Sequence, residues 1–388
     1  MSLVLINSIS DTFTPTHSGA IGTWHWEICR CAAEEGIEPL VISKSADDGI
    51  APYNWENKVM LDYPYGSTLP GMGRVAEAKK RISGWGHIHQ EKYNPLVAQA
   101  IRDRKAENWP IILHNDPELT VYLRQQFPNA RIISHFYNQN SCSEKFRKLI
   151  SLEAAPTTFS AVSDFTARWT ENYYGLPAGT VETLYNGVDC ERFRPAETGR
   201  APSPVPVINF VGRLSHDKAP DLLLDAAIAL AKHGARFGIQ LLGSTFWGGG
   251  QPDAYTASLE ERAKQLEKAG ISVRMPGFIN RWDLPGELQK ADIHVVPSRW
   301  DEPFALSTLE GMAVGLAAVA SATGGTPEAV TGAGLLFERD DLAALTGHLA
   351  SLIQDRELRN KFGVRARTRA LEFTWMHIWH RVRQLAKV

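Results

Sequence analysis

At 388 residues the chain is long enough for two domains, each with its own core. Hydrophobic residues make up 44% and charged residues 22%, the balance of a globular chain, and a formal net charge of −2 excludes a globally basic nucleic-acid binder. The longest apolar run, AVGLAAVASA, is too short to cross a bilayer.

The opening MSLVLINSISDTF has no basic stretch before its apolar residues, so it reads as a buried first strand rather than a signal peptide. HSGAIGTWHW then makes a glycine-containing loop leading into a helix through WHWEICRCAAEEG. Cys29 and Cys31 fall on different faces of that helix, against both a metal pair and a disulfide. EPLVIS is the next strand. From Arg74 to Lys105 eight cations stand against three acids, with Trp85, His87, His89 and Tyr93 interleaved. The plain reading is a solvated helical face, and the alternative is a contact with an anionic acceptor or a membrane surface.

Further on, PIILHN, ARIISHF and TTFSAVS read as strands, separated by the helix ELTVYLRQQF and followed by DFTARWTENYYG. This alternation predicts a doubly wound parallel sheet. After the Pro-, Gly- and Ser-rich stretch NGVDCERFRPAETGRAPSPVP the rhythm restarts with VINFVGRL, PDLLLDAAIALAKHG, GIQLLGS, ASLEERAKQLEKAG, SVRMPGFI, IHVVPS and AAVASA. The expectation is an α/β chain of two Rossmann-like domains across a crevice, 1–188 and 189–374. The last helix, TWMHIWHRVRQLAKV, either ends the second domain or crosses back to the first.

Ligands of such sheets bind beyond the carboxyl ends of the strands, and the unusual residues collect in those loops. In FVGRLSHDKAPDLLLDA a strand ends at Val211, Gly212 turns the chain, and Arg213 and Lys218 precede Pro220 at a helix start. Two cations there suit a diphosphate, and the plain reading is two solvated charges. No Walker P-loop pattern is present. In SRWDEPFALSTLEGMAVG, Pro303 fits the first position of a helix that Gly315 ends. Glu302 would stand just outside it, with the amides of Ala305, Leu306 and Ser307 free. Glu310 would lean back towards the same end and suit a pair of ribose hydroxyls. The plain alternative is helix-dipole complementarity, worth roughly 0.3–1 kcal/mol per acid. GGTPEAV, from Gly324, is a third turn of the same kind.

In the first half, HSGAIG lacks the full dinucleotide fingerprint, which disfavours a nicotinamide enzyme. His114 and His135 end adjacent strands and should project there. A lone histidine in such a place is more often structural than catalytic.

The order GRLSHDK, EPFALSTLE, GGTPEAV resembles glycosyltransferase family 4, and the resemblance covers nearly the whole chain, including YNGVDCERFRP and the FTW before the last helix. It implies a GT-B architecture and a retaining, metal-independent transfer from a nucleotide diphosphate sugar, with UDP-glucose the leading donor. The acceptor would be a hydroxyl of a saccharide, lipid-linked saccharide or small molecule. Arg213 and Lys218 match the pair holding the diphosphate, Glu310 the ribose acid, and Glu302 the acid beside the sugar hydroxyls. Phe304, Ala305 and Leu306 would offer backbone amides, with Gly212 and Phe278 also on the donor side. Gly19 matches a glycine of a phosphate-facing loop, and His135 a histidine near the anomeric carbon. His114 and Asn138 are the further acceptor-side candidates.

Two departures each add a methyl beside the donor: Ala305 where the family has glycine, and Ala20 after Gly19. No cofactor or metal is expected, since no Asp-x-Asp motif is present to hold one. A nucleotide-sugar epimerase, a sugar phosphorylase and a non-catalytic sugar-nucleotide binder are the competing readings. The expected partners are a donor and an acceptor, with no nucleic acid. The expected location is cytoplasmic, with 74–105 the candidate for contact with the inner membrane face.

Overall fold

The fold is that of a computed structural model, which describes residues 2–9, 11–15, 19–46, 50–62, 86–139, 144, 147, 157–196, 205–245 and 253–388, with backbone alone for 86–91. It divides into two compact units, Met1–Tyr185 with Trp375–Val388, and Asn186–Thr374. Each is a parallel sheet between helices.

In the first unit the strands are Val4–Ile6 (β1), Leu40–Lys44 (β2), Lys58–Leu61 (β3), Ile111–His114 (β4), Ile132–Phe136 (β5), Thr158–Ala161 (β6) and Val181–Thr183 (β7). They are ordered β3-β2-β1-β4-β5-β6-β7, so the winding reverses between β1 and β4. Sheets covered on both faces need strands apolar throughout rather than alternating, and VLI, IILH and IISHF are buried at every position. Ala20–Glu34 (α1), Gly86–Asp103 (α2), Pro117–Gln126 (α3) and Asp164–Tyr174 (α4) follow in chain order. Asp116 caps α3 by accepting from the Leu119 amide at 2.8 Å, Ser163 caps α4, and Gly175 ends α4 in the left-handed conformation.

The second sheet holds Val207–Val211 (β8), Gly238–Leu242 (β9), Ser272–Gly277 (β10), Ile293–Val296 (β11), Ala317–Ser321 (β12) and Leu335–Phe337 (β13). Its order is β10-β9-β8-β11-β12-β13, and its switch point lies between β8 and β11. Its helices are Pro220–Lys232 (α5), Ala254–Lys268 (α6), Leu284–Leu288 (α7), Leu306–Ala313 (α8), Thr326–Val330 (α9), Leu342–Gln354 (α10) and Arg356–Ala370 (α11). Leu223, Leu224, Ala226 and Ala227 of α5 pack with Leu345 and Leu349 of α10 over Ile208, Ile239 and Val295.

The last helix, Trp375–Ala386 (α12), belongs to the first unit. Trp375, Ile378, Trp379 and Val382 are buried along one face. Trp379 donates its indole N–H to Glu35 at 2.9 Å, and Arg383 pairs with the same carboxylate at 2.7 Å. No helix among the described residues is long and apolar enough to cross a membrane.

Of the basic stretch, Arg74, Lys79, Lys80, Arg81 and Trp85 lie outside the described residues, as do the side chains of His87 and His89. Lys92, Arg102, Arg104 and Lys105 are exposed, while Tyr93 is buried in the core.

Candidate active site

The second sheet brings the donor-side candidates together at its switch point. β8 ends at Val211, and the loop behind it carries Arg213 and Lys218 to the start of α5. β11 ends at Val296, and the loop behind that carries Ser298 to Ala305 into α8. The two loops are joined by hydrogen bonds. The Asp217 carbonyl accepts from the amides of Arg299 (2.8 Å) and Trp300 (3.1 Å) and lies 3.0 Å from the Ser298 hydroxyl.

Across this junction Lys218 Nζ donates to Glu302 Oε1 at 2.5 Å, and the Ser298 hydroxyl is 2.8 Å from the same oxygen. Glu302 is buried, and Lys218 is partly so. Arg213 stands exposed beside them, paired with Asp217 at 2.9 Å. Lys218 and Glu302, which the sequence assigns to different parts of one ligand, are therefore in direct contact.

The helix α8 starts at Leu306, not at Pro303 as the sequence suggests. Backbone commitments explain the delay. A helix beginning at Pro303 would need the carbonyls of Glu302 and Phe304 for its first turn. The Glu302 carbonyl instead accepts from the Gly325 amide at 2.7 Å, and that of Phe304 from Asn186 Nδ2 at 3.0 Å. Phe304 itself is buried against Phe373. Ala305 becomes the N-cap, which supplies no side-chain cap, and Glu310 lies buried one turn further in. Gly315, at φ +85°, closes the helix: its amide reaches the Met312 carbonyl and that of Leu316 the Gly311 carbonyl.

GGTPEAV acts on the same loop. Gly324 has φ +57°, and a Cβ there would lie 2.2 Å from the Glu302 carbonyl oxygen. Only glycine lets this turn press against the backbone of Glu302. Phe278 follows the end of β10, and the Gly243 amide after β9 donates to the Gly277 carbonyl at 3.0 Å, so the loops after β9 and β10 lie side by side.

Arg299 is a residue the sequence reading passed over. Its guanidinium makes a bidentate pair with Asp221 of α5 (2.8 and 2.9 Å), reaches Asp340 before α10 at 2.6 Å, and donates to the His216 carbonyl at 3.1 Å. One side chain thus ties three loops. Burial would raise the Asp221 carboxyl, but the hydrogen bonds from Arg299 and Tyr255 outweigh it and hold it below the usual carboxylate range. The only signal in the sequence was an arginine three residues before Glu302.

The first unit collects the acceptor-side candidates. His114 and His135 are register partners on β4 and β5, both buried, with ring centroids 5.2 Å apart. His25, one turn into α1 and not anticipated, lies 4.5 Å from His114, and Trp24 and Tyr137 close the cluster. Burial holds all three imidazoles neutral, pushing His25 down to about 4 and His135 to about 3, with His114 also lowered well below its ordinary value. His135 Nδ1 is 2.9 Å from the Ser160 hydroxyl. Asn138 is exposed just after β5.

Gly19 is the N-cap of α1, and its amide is already engaged. Asp11 accepts from the amides of Gly19 (2.8 Å) and Gly22 (3.1 Å), so a carboxylate of the chain itself engages the start of α1. Burial raises the carboxyl of Asp11, and those amides oppose the rise.

The fold and these loops define a doubly wound α/β protein whose donor-side candidates cluster at the switch point of its second sheet. The family model for glycosyl transferases group 1 matches residues 196–369. A D-inositol 3-phosphate glycosyltransferase of Saccharomonospora viridis is 33% identical over 321 residues, covering 79% of this chain and 68% of that protein. Spore coat protein SA of Bacillus subtilis is 22% identical over 323 residues, covering 77% of this chain and 84% of that protein. Other relatives are matched over about half of their own length. The structure of HepE from Anabaena in complex with UDP-glucose aligns over 100% of both chains, with a TM-score of 0.68 and 18% identity. The chain belongs to the group 1 glycosyltransferases and has their GT-B fold of two parallel-sheet α/β domains.

Proposed function

We propose that the protein is a retaining hexosyltransferase of family 4. It moves a hexose from a nucleotide diphosphate sugar, UDP-glucose or a near relative, to a hydroxyl of a saccharide, lipid-linked saccharide or small-molecule acceptor. The observation that carries this reading is the Lys218–Glu302 pair, joined at 2.5 Å beside a helix with no side-chain cap and a buried Glu310. A diphosphate beside Lys218 and Arg213, sugar hydroxyls on Glu302, and ribose hydroxyls on Glu310 would engage these groups together. HepE, the neighbour solved with UDP-glucose, supports that choice of donor.

The donor brings its own leaving group, so the protein's task is to absorb negative charge as the glycosidic C–O bond breaks. Arg213, Lys218 and the first-turn amides of α8 are fixed dipoles and charges suited to that, and removing one such donor costs on the order of a hundredfold in rate. The Gly19 amide is held by Asp11, so in this reading the diphosphate rests on the second unit's groups. Two cations fill the charge-neutralising role a divalent ion has elsewhere, and turnover is therefore expected without one. Glu302 and Glu310 both serve the donor, unlike the pair of carboxylates that flanks the anomeric carbon in a glycosidase. The acceptor hydroxyl would attack from the leaving-group side, and neutral His135 would position the sugar. The stretch 74–105 is the candidate contact for an anionic acceptor or membrane surface.

The test is incubation of purified protein with UDP-glucose and a panel of sugar acceptors in EDTA, with product configuration read by proton NMR. A product of retained anomeric configuration supports the reading. An inverted product, conversion of donor without acceptor, or no turnover of any nucleotide sugar contradicts it.

A further inference from the structure

Beneath the donor helix lies a polar pair that an apolar sheet core does not need. Asn209 of β8 and His294 of β11 are register partners across the switch point, both fully buried, and Asn209 Oδ1 is 2.6 Å from His294 Nδ1. Asn209 Nδ2 and His294 Nε2 have no hydrogen-bond partner. Leaving such groups buried and unpaired is costly, so this pair works against stability where two aliphatic side chains would not.

The ring is also a steric key. Gly311, the neighbour of Glu310 in α8, sits directly over it: a Cβ at 311 would come within 2.5 Å of His294 Cγ and Cδ2 and 3.0 Å of its Cβ. Those atoms lie at the root of the side chain and cannot swing aside. The ring therefore sets how closely α8 can approach β11.

We infer that His294 is a positioning residue for the donor site: with Asn209 behind it and Gly311 above it, the imidazole seats α8 so that Glu310 and the first-turn amides meet the nucleotide sugar. This rests on the reading of α8 and Glu310 as donor contacts, and it concerns a neutral ring that touches no substrate.

The experiment is a double-mutant cycle read by calorimetric binding of UDP-glucose, alongside thermal melts. Gly311→Ala should weaken binding about tenfold, because the added methyl overlaps the His294 ring and pushes the Glu310 turn of α8 away from β11. Its melting temperature should fall, since alanine's preference for the helix offsets only part of the overpacking. Adding His294→Ala makes room for the new methyl and should restore affinity to within about threefold, which independent sites would not do. Asn209→Ala, which removes the partner of His294 on β8, should weaken binding about threefold without unfolding the protein, and it keeps the test open if Gly311→Ala does not fold. Glu310→Ala serves as the control. If that variant binds normally, the donor-site reading fails. If it binds weakly while Gly311→Ala and Asn209→Ala bind as the parent does, or if His294→Ala gives no rescue, the positioning role is overturned.

Discussion

Lys218 and Glu302 are each other's partners, 2.5 Å apart across two loops separated by 84 positions in sequence. A ligand that places phosphate by one and hydroxyls by the other enters a site already neutralised. Glu302→Gln keeps an acceptor for Lys218 and removes the charge. Its kcat should fall on the order of a hundredfold, while UDP affinity holds or rises because the ammonium is released to the diphosphate. Lys218→Ala should lower kcat by a similar factor and in addition destabilise the fold by about 2–3 kcal/mol, less than a fully buried pair because Lys218 is partly exposed. Steady-state kinetics and melts separate the two effects.

Arg299 makes a different demand. Its fork fits Asp221 with two parallel bonds and reaches two further acceptors. Lysine offers a point charge and cannot reproduce that geometry. Arg299→Lys should raise the donor KM roughly tenfold by letting the Lys218 and Glu302 loops drift apart. An unchanged KM would show that the loops hold their positions without it.

Ala219 caps α5 at φ +54°, where an L side chain pays about 1–2 kcal/mol. Its methyl is buried and returns about 0.8 kcal/mol. Ala219→Gly should therefore stabilise the protein by about 0.5–1 kcal/mol and raise the melting temperature by roughly 1–3 °C. A lower melting temperature would mean that the buried methyl outweighs the strain.

The histidine cluster makes stability depend on pH. His25 and His135 titrate near 6.5 when unfolded but at about 4 and about 3 when folded, and His114 is lowered as well. Between those limits the unfolded chain binds protons that the folded chain refuses. Their contribution is fully present above about 6.5 and is lost as pH falls through that window. Melts from pH 7.5 to 4.5 should show this slope, and His25→Gln should flatten it. An equal slope in the variant would place the titration elsewhere.

The alternation of apolar strands and amphipathic helices was legible because parallel strands buried on both faces leave nearly continuous apolar runs such as VLI and IISHF. The glycine stop at Gly315 was legible for a similar local reason. The start of α8 was not: Pro303 suits a first helical position, but Gly325 and Asn186 claim the carbonyls that a helix there would use. Both lie more than twenty residues away, and no local pattern reports them. Of the candidate site, the sequence picked out Lys218 and Glu302 but not their pairing, and it passed over Arg299 and Asp11. Lys218 meeting Glu302 and Arg299 tying three loops depend on strand order, while Asp11 taking the Gly19 amide depends on how one loop folds back on itself. The buried Asn209–His294 pair had no signal beyond two polar letters in apolar strands.

The central claim is that Glu310 and the loops around α8 hold a nucleotide sugar. Calorimetric titration of UDP-glucose into the parent protein and Glu310→Ala, both in EDTA, tests it most directly. The account predicts saturable binding by the parent and a loss of about 1.5–3 kcal/mol in the variant, roughly tenfold to a hundredfold in Kd, as for hydrogen bonds to a charged group. Equal affinities in the two proteins, or no binding of UDP-, GDP- or ADP-sugars to the parent, would contradict it.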